Sequence, residues 1–171
     1  MLVVISDTHR TDRPGLTGSL QDAVRRADRV VHAGDFTTIS VLEGFESVSR
    51  DLDAVHGNRD TPAVRERLPS TDTVDVAGIR IALTHTQRGG ETGLRYFGEE
   101  QSADVVVSGH THRPHMTEVG ELTLLNPGSH AAPRGSTATY AVLEPTGDGL
   151  SGAIKSIDGR VVREFVVEGR N

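Results

Sequence analysis

Cysteine is absent from the 171 residues. No disulfide framework can therefore staple the chain, and any metal must be held by nitrogen and oxygen ligands. Such usage fits a reducing compartment, and a cytoplasmic location is expected. No apolar run approaches the roughly 20 residues a membrane helix requires. The first residues enter a strand-like run with no basic n-region and apolar h-region, so a secretory signal is not expected. Lysine is nearly absent: Lys155 stands alone against seventeen arginines, a bias that GC-rich codon usage explains. The net charge of -6 is modest for a salt-adapted surface and argues against a nucleic-acid backbone as main partner. Repeats, low-complexity tracts and Pro/Gly/Ser linkers are also missing, and the length fits a single domain spanning 1–171. Oligomeric state is not specified by any of these features.

What is present is a series of short apolar runs that each end in Asp, Asn or His. Leu2 to Ile5 leads to Asp7-Thr8-His9, and Arg29 to Ala33 leads to Gly34-Asp35. Ala54-Val55-His56 leads to Gly57-Asn58-Arg59-Asp60, Ile79 to Leu83 leads to Thr84-His85, and Asp104 to Ser108 leads to Gly109-His110-Thr111-His112. Continuous apolar runs of this length read as strands buried on both faces. Helical spacing at Leu16, Leu20, Ala23, Val24 and Ala27, and again from Ile39 to Val48, supplies the crossovers that parallel strands need. A short helical piece at 61–68, a hairpin at 73–83 and a helix at 94–101 follow. Beyond Pro114 only strand patterns remain, at 116–119, 122–125, 137–143, 152–157 and 161–167, with Asp158-Gly159 as a hairpin signal. A βαβ half followed by an antiparallel meander predicts two sheets packed face to face with helices outside.

In open α/β sheets ligands gather beyond the carboxyl ends of the strands, so these polar residues should converge. Asp7, His9, Asp35, Asn58, His85, His110 and His112 overfill a single ion's shell. Two ions sharing one carboxylate use them naturally, and such pairs sit about 3.5–4 Å apart. Carboxylate, amide and imidazole without thiolate suit Mn²⁺, Fe²⁺, Ni²⁺, Co²⁺ or Zn²⁺ better than Ca²⁺, with Mn²⁺ the leading expectation. The His-x-His pair is expected to project to one side of an extended backbone, after a Gly109 needed for its backbone angles. Alternation puts His32 on the face opposite Asp35, as a hydrogen-bonded core histidine, and His56 is read as structural.

The ordered set Asp-x-His, Gly-Asp, Gly-Asn-x-Asp, a lone His and Gly-His-x-His resembles the calcineurin-like metallophosphoesterases. The small single-domain branch is closest, because Asn126-Pro127-Gly128-Ser129 and Pro133-Arg134-Gly135 recur there. The resemblance implies an α/β fold, a four-layer αββα sandwich of two mixed sheets flanked by helices. It assigns Asp7, His9, Asp35 and His112 to a first metal and Asp35, Asn58, His85 and His110 to a second, with Asp35 bridging. A hydroxide bridging the two ions would attack a small phosphodiester or phosphomonoester directly, with Asn58, Arg59 and His85 carrying the catalytic step.

Arg59 is a departure, because many members place a proton-donating histidine there. A guanidinium holds its proton, so Arg59 would steady phosphate charge without serving as acid. His56, His115 and His130 are candidate substitutes, and Asp60 is expected to orient a ligand histidine. The alternative function is a non-catalytic interaction scaffold, as in a related retromer subunit, although keeping all seven ligands speaks against it. A nuclease would share the chemistry, but no basic stripe supports one.

Overall fold

The first strand shows why the chain layers as it does. Within β1 (Leu2–Ile5), Leu2 and Val4 pack into one apolar cluster while Val3 and Ile5 pack into another. A strand buried on both faces belongs at the centre of a sandwich. The structure, a computed structural model, describes residues 1–169; the last two residues of the expected domain span lie outside the described ones.

In chain order the elements are β1, α1 (Gly18–Arg26), β2 (Arg29–His32), α2 (Ile39–Val48), β3 (Leu52–Ala54), α3 (Pro62–Arg67), β4 (Thr71–Val76), β5 (Ile79–Thr84), α4 (Glu91–Glu100), β6 (Val105–Val107), β7 (His115–Val119), β8 (Leu122–Asn126), β9 (Thr139–Pro145), β10 (Gly149–Ser156) and β11 (Val161–Glu168). Six strands form one sheet in the order β11-β10-β9-β1-β2-β3, and five form the other in the order β4-β5-β6-β8-β7. Both are mixed: β1–β2–β3 and β5–β6–β8 run parallel, and the remaining pairs antiparallel.

Between the sheets lies a core that includes Val31, Leu83, Val107, Leu125 and Leu143. Leu20, Val24, Leu42, Phe45 and Val64 seat α1, α2 and α3 on the outer face of the first sheet. On the far face of the second sheet α4 packs through Leu94 and Phe97 against Val106, Leu122 and Leu124. The predicted αββα sandwich is thus the observed one.

Element ends moved by one to three residues. Val55 and His56 lie outside β3, because β2 ends at His32 and offers Ala54 its last partner; the His56 amide donates to Pro69 O instead (2.9 Å). The helix expected from Leu94 begins at Glu91, since the Leu94 amide already donates to Gly90 O at 2.9 Å. Similarly, β10 starts at Gly149, paired with Glu168, where the spacing suggested Gly152.

Candidate metal centre

All five strand-like runs deliver their polar residues to one place. Asp7 and His9 follow β1, Asp35 follows β2 and Asn58 follows β3, all from the first sheet. From the second sheet, His85 follows β5, and His110 and His112 follow β6. Backbone bonds lace the loops together: the Asp7 amide donates to Gly34 O, the His9 amide to Asp35 O, and the Gly109 amide to His85 O, each at 3.0 Å.

The backbone there is unusual. Asp7, His9, Asp35, His110 and His112 all have φ between 45° and 71°, the left-handed region that L-residues avoid. Each such residue costs about 1–3 kcal/mol and persists only where its surroundings hold it. His110 and His112 are therefore not on extended backbone as the spacing suggested, and they point to different partners. Gly109 is needed for room rather than for its angles: a Cβ there would sit 2.7 Å from Asp7 Oδ2. At Gly57 a Cβ would collide with the Asp35 carboxylate and amide.

Two groups of potential ligand atoms come together, Asp7 with His9 and His112, and Asp7 with Asp35 and His85. Asp35 Oδ1 accepts the Arg59 amide (2.7 Å), while Oδ2 lies 3.3 Å from His9 Nε2 and 3.3 Å from His85 Nε2. Asp7 Oδ2 accepts the Ser6 hydroxyl (2.7 Å), the His110 amide is shared between Oδ2 (3.0 Å) and Oδ1 (3.1 Å), and Oδ1 lies 3.4 Å from His112 Nε2. Asn58 Oδ1 stands 3.1 Å from His85 Nε2 and 3.0 Å from His110 Nδ1. Asn58 and His110 thus adjoin the second group through the amide oxygen.

Tautomers are set from behind. His85 Nδ1 donates to Ala33 O at 2.8 Å, and His112 Nδ1 donates to Ala132 O. Both Nε2 atoms are then aimed inward. His112 Nε2 lies 3.2 Å from His9 Nε2, and His85 Nε2 lies 3.1 Å from Asn58 Oδ1 and 3.3 Å from Asp35 Oδ2, contacts at which a proton or a metal ion can be held. Electrostatics agree: hydrogen bonds to Asp35 and then Asp7 raise His9 to about 9. Burial opposes charge on both His85 and Asp35, yet their mutual contact prevails, raising the imidazole and holding the carboxyl well below the usual carboxylate range. Burial lowers His112. A pocket that favours a proton this strongly also favours a divalent ion, and the donor set fits one.

Other expectations sort differently. Asp60 orients no histidine: its carboxylate accepts the amides of Gly57 (2.7 Å), Asp35 (3.0 Å) and Thr37 (2.7 Å), and so pins the loop that carries Asp35. His32 is fully buried, stacked on Phe36 with ring centroids 3.7 Å apart. It accepts the Gly34 amide at Nδ1 and donates to Thr8 Oγ1 (2.8 Å). His130 is buried and donates to Pro14 O (3.0 Å), and burial pushes it down to about 4, which ill suits a general acid at neutral pH. His115 is exposed on β7, and His56 is half-buried with a buried Nδ1. Among the described residues the exposed Arg59 guanidinium makes no hydrogen bond or ion pair.

The sequence marked Asn126 to Ser129 only as a run shared with the resembled branch, without a role for its side chains. Ser129 Oγ donates to Asp7 O (2.7 Å) and accepts the Ala132 amide (2.8 Å). Asn126 Nδ2 donates to Gly109 O (2.7 Å), and its Oδ1 accepts the Gly128 amide (2.9 Å). Their only signal was the Asn-Pro-Gly-Ser run itself.

Fold and cluster define a class: two-sheet α/β proteins whose strand-end loops meet in a carboxylate–imidazole centre. The chain belongs to the calcineurin-like phosphoesterase superfamily, whose domain profile matches residues 1–148. A probable metallophosphoesterase of Methanothermobacter thermautotrophicus is 36% identical, covering 96% of this chain and 97% of that protein. A phosphodiesterase of Methanocaldococcus jannaschii is 26% identical over 73% of this chain and 81% of its own length. In fold, the chain resembles Vps29 from Entamoeba histolytica, solved in complex with zinc, with a TM-score of 0.78, 22% identity and 98% of each chain covered.

Proposed function

We propose that this chain is a metal-dependent phosphoesterase, acting on a phosphodiester or small phosphomonoester. The observation that carries the reading is Asp35 Oδ2, equidistant at 3.3 Å from two imidazole nitrogens on opposite sheets, His9 from the first and His85 from the second. One oxygen so placed suits a ligand shared by two ions, with Asp7, His9 and His112 completing one shell and Asn58, His85 and His110 the other. Two divalent ions there, Mn²⁺ the first to try, would acidify a water and neutralise phosphate oxygens.

The chain's own residues do the rest. Exposed Asn58 and His110 leave the second group open to solvent, where a phosphate can enter. The Arg59 amide donates to Asp35 Oδ1, and its exposed guanidinium, without a partner among the described residues, suits a charge-assisted bond to a phosphate oxygen. His85, tethered to Ala33 O, keeps its Nε2 aimed inward throughout turnover.

A scaffold is the second reading, favoured by the fold's likeness to proteins named for vacuolar sorting and by arginine at position 59. Metal analysis of the purified protein, then hydrolysis of bis(p-nitrophenyl) phosphate after Mn²⁺ loading, separates the two. Bound metal with metal-dependent release of nitrophenolate is expected. A protein that takes up no metal and releases none is the scaffold.

A further inference from the structure

Beside the cluster, on the outer face of the second sheet, runs a groove of about 790 Å³ that begins at His85 and His110. It exists because α4 covers only part of that sheet. The helix packs chiefly on β6 and β8 and meets the edge strand β7 at its Val119 end, leaving the His115–Thr117 end of β7 beside the groove. The groove follows that gap. Leu94 of α4 forms one wall, Leu124 the floor and Pro114 the end near the site, while Arg113 and Thr117 stand along the β7 side. The volume lies within the roughly 300–1,000 Å³ typical of small-molecule sites, and apolar surface with a few polar groups is their usual lining.

A phosphate ion or a monoester with a short alkyl group has nothing to place there. A phosphodiester has a second esterified oxygen, and a carbon arm on that oxygen leaves the metal centre in some direction. The direction with apolar walls is this groove. We infer that the groove is the subsite for one organic arm of a phosphodiester, a ring-bearing arm about the size of a nucleoside. Its body would lie on Leu94, Leu124 and Pro114, and a hydrogen-bond acceptor on it would face Arg113. This rests on the phosphoesterase reading above.

Calorimetry on the Mn²⁺-loaded protein tests it with two slowly cleaved alkyl diesters, dimethyl phosphate and the 5′-methyl phosphate ester of thymidine. The thymidine diester is expected to bind at least about tenfold more tightly, the scale of burying one or two methylene equivalents. Leu94→Asp, on the half-buried wall, should bring the ratio of the two Kd values close to one. Thr117→Arg on the edge strand should do the same by filling the groove, and serves if Leu94→Asp does not fold. Equal Kd values in the wild type, or a ratio that neither variant changes, would overturn the subsite. Hydrolysis of bis(p-nitrophenyl) phosphate by the same preparation keeps the two ideas apart. Hydrolysis with equal Kd values sinks the subsite alone, whereas unequal values without hydrolysis sink the phosphoesterase reading alone.

Discussion

Asp35 turns one carboxylate oxygen to the Arg59 amide and the other to two imidazoles, so its charge serves both halves of the cluster. Asp35→Asn should release metal from both halves and lower hydrolysis by more than about 100-fold, the upper end for changes merely adjacent to ligands. Metal analysis reads this directly, and loss of one ion with turnover preserved would assign the bridge elsewhere, with Asp7 next, since it belongs to both groups. Arg59 raises a separate question, because His130 is buried and depressed to about 4 and does not fill the missing acid's role. With no proton donor, the rate should fall steeply as leaving-group pKa rises, and aryl esters should far outpace alkyl ones. Arg59→His should flatten that slope, since an imidazole near pKa 6.5 can protonate a departing alkoxide, a contribution of about 10²–10⁴-fold. Arg59→Ala should instead raise KM by removing a charged contact to phosphate. A leaving-group series at matched metal content checks both, and a shallow slope in the wild type would expose another acid, with His115 the first to test.

At the scale of elements, the strands were legible and the loops were not. Apolar runs at β1, β2, β5 and β6 mark themselves, because strands buried on both faces must be apolar throughout. The loops obey a different rule. Asp7, His9, Asp35, His110 and His112 adopt left-handed angles that no spacing predicts, held by bonds from segments far away in the chain. The end of β8 and the segment after it are the clearest case: Asn126 fastens Gly109 O, while Ser129 fastens Asp7 O and the Ala132 amide. Asn126→Ala should therefore weaken metal binding by about 10–100-fold, as loss of outer support does elsewhere. Stability should fall less than for a core truncation, by about 1–3 kcal/mol, through unsatisfied groups. Metal titration and thermal melting on the same sample separate the two effects.

Across the whole molecule, the two sheets bury histidines as well as apolar chains, and that gives stability a pH dependence. His130 ionises near 6.5 when unfolded, but burial depresses it to about 4 in the folded chain. Between those values the unfolded state binds the extra proton, so the His130 contribution to stability falls as pH drops below about 6.5, by about 2 kcal/mol at pH 5. His9 and His85, whose values are raised, act in the opposite direction. Fully buried His32, also depressed by desolvation, adds in the same direction as His130. His130→Gln keeps a donor for Pro14 O without the titration. Urea unfolding in chelator at pH 7.5 and pH 5 should show a smaller acid loss in the variant, and identical losses would contradict the burial argument.

The layering, and which strand-end residues would lie near one another, could be read from the amino-acid order alone. Periodicity is local, and strand-end positions in parallel sheets have one destination, so residues scattered from position 7 to position 112 could be gathered without coordinates. Which atoms meet depends on the folded chain. The sharing of Asp7 between two groups, the true partners of Asp60, the role of Gly109 as space and the groove beside α4 all depend on contacts between chain segments distant in sequence. Distances of that kind follow from how two sheets and four helices pack, and close packing is a property of the assembled interior rather than of any local stretch.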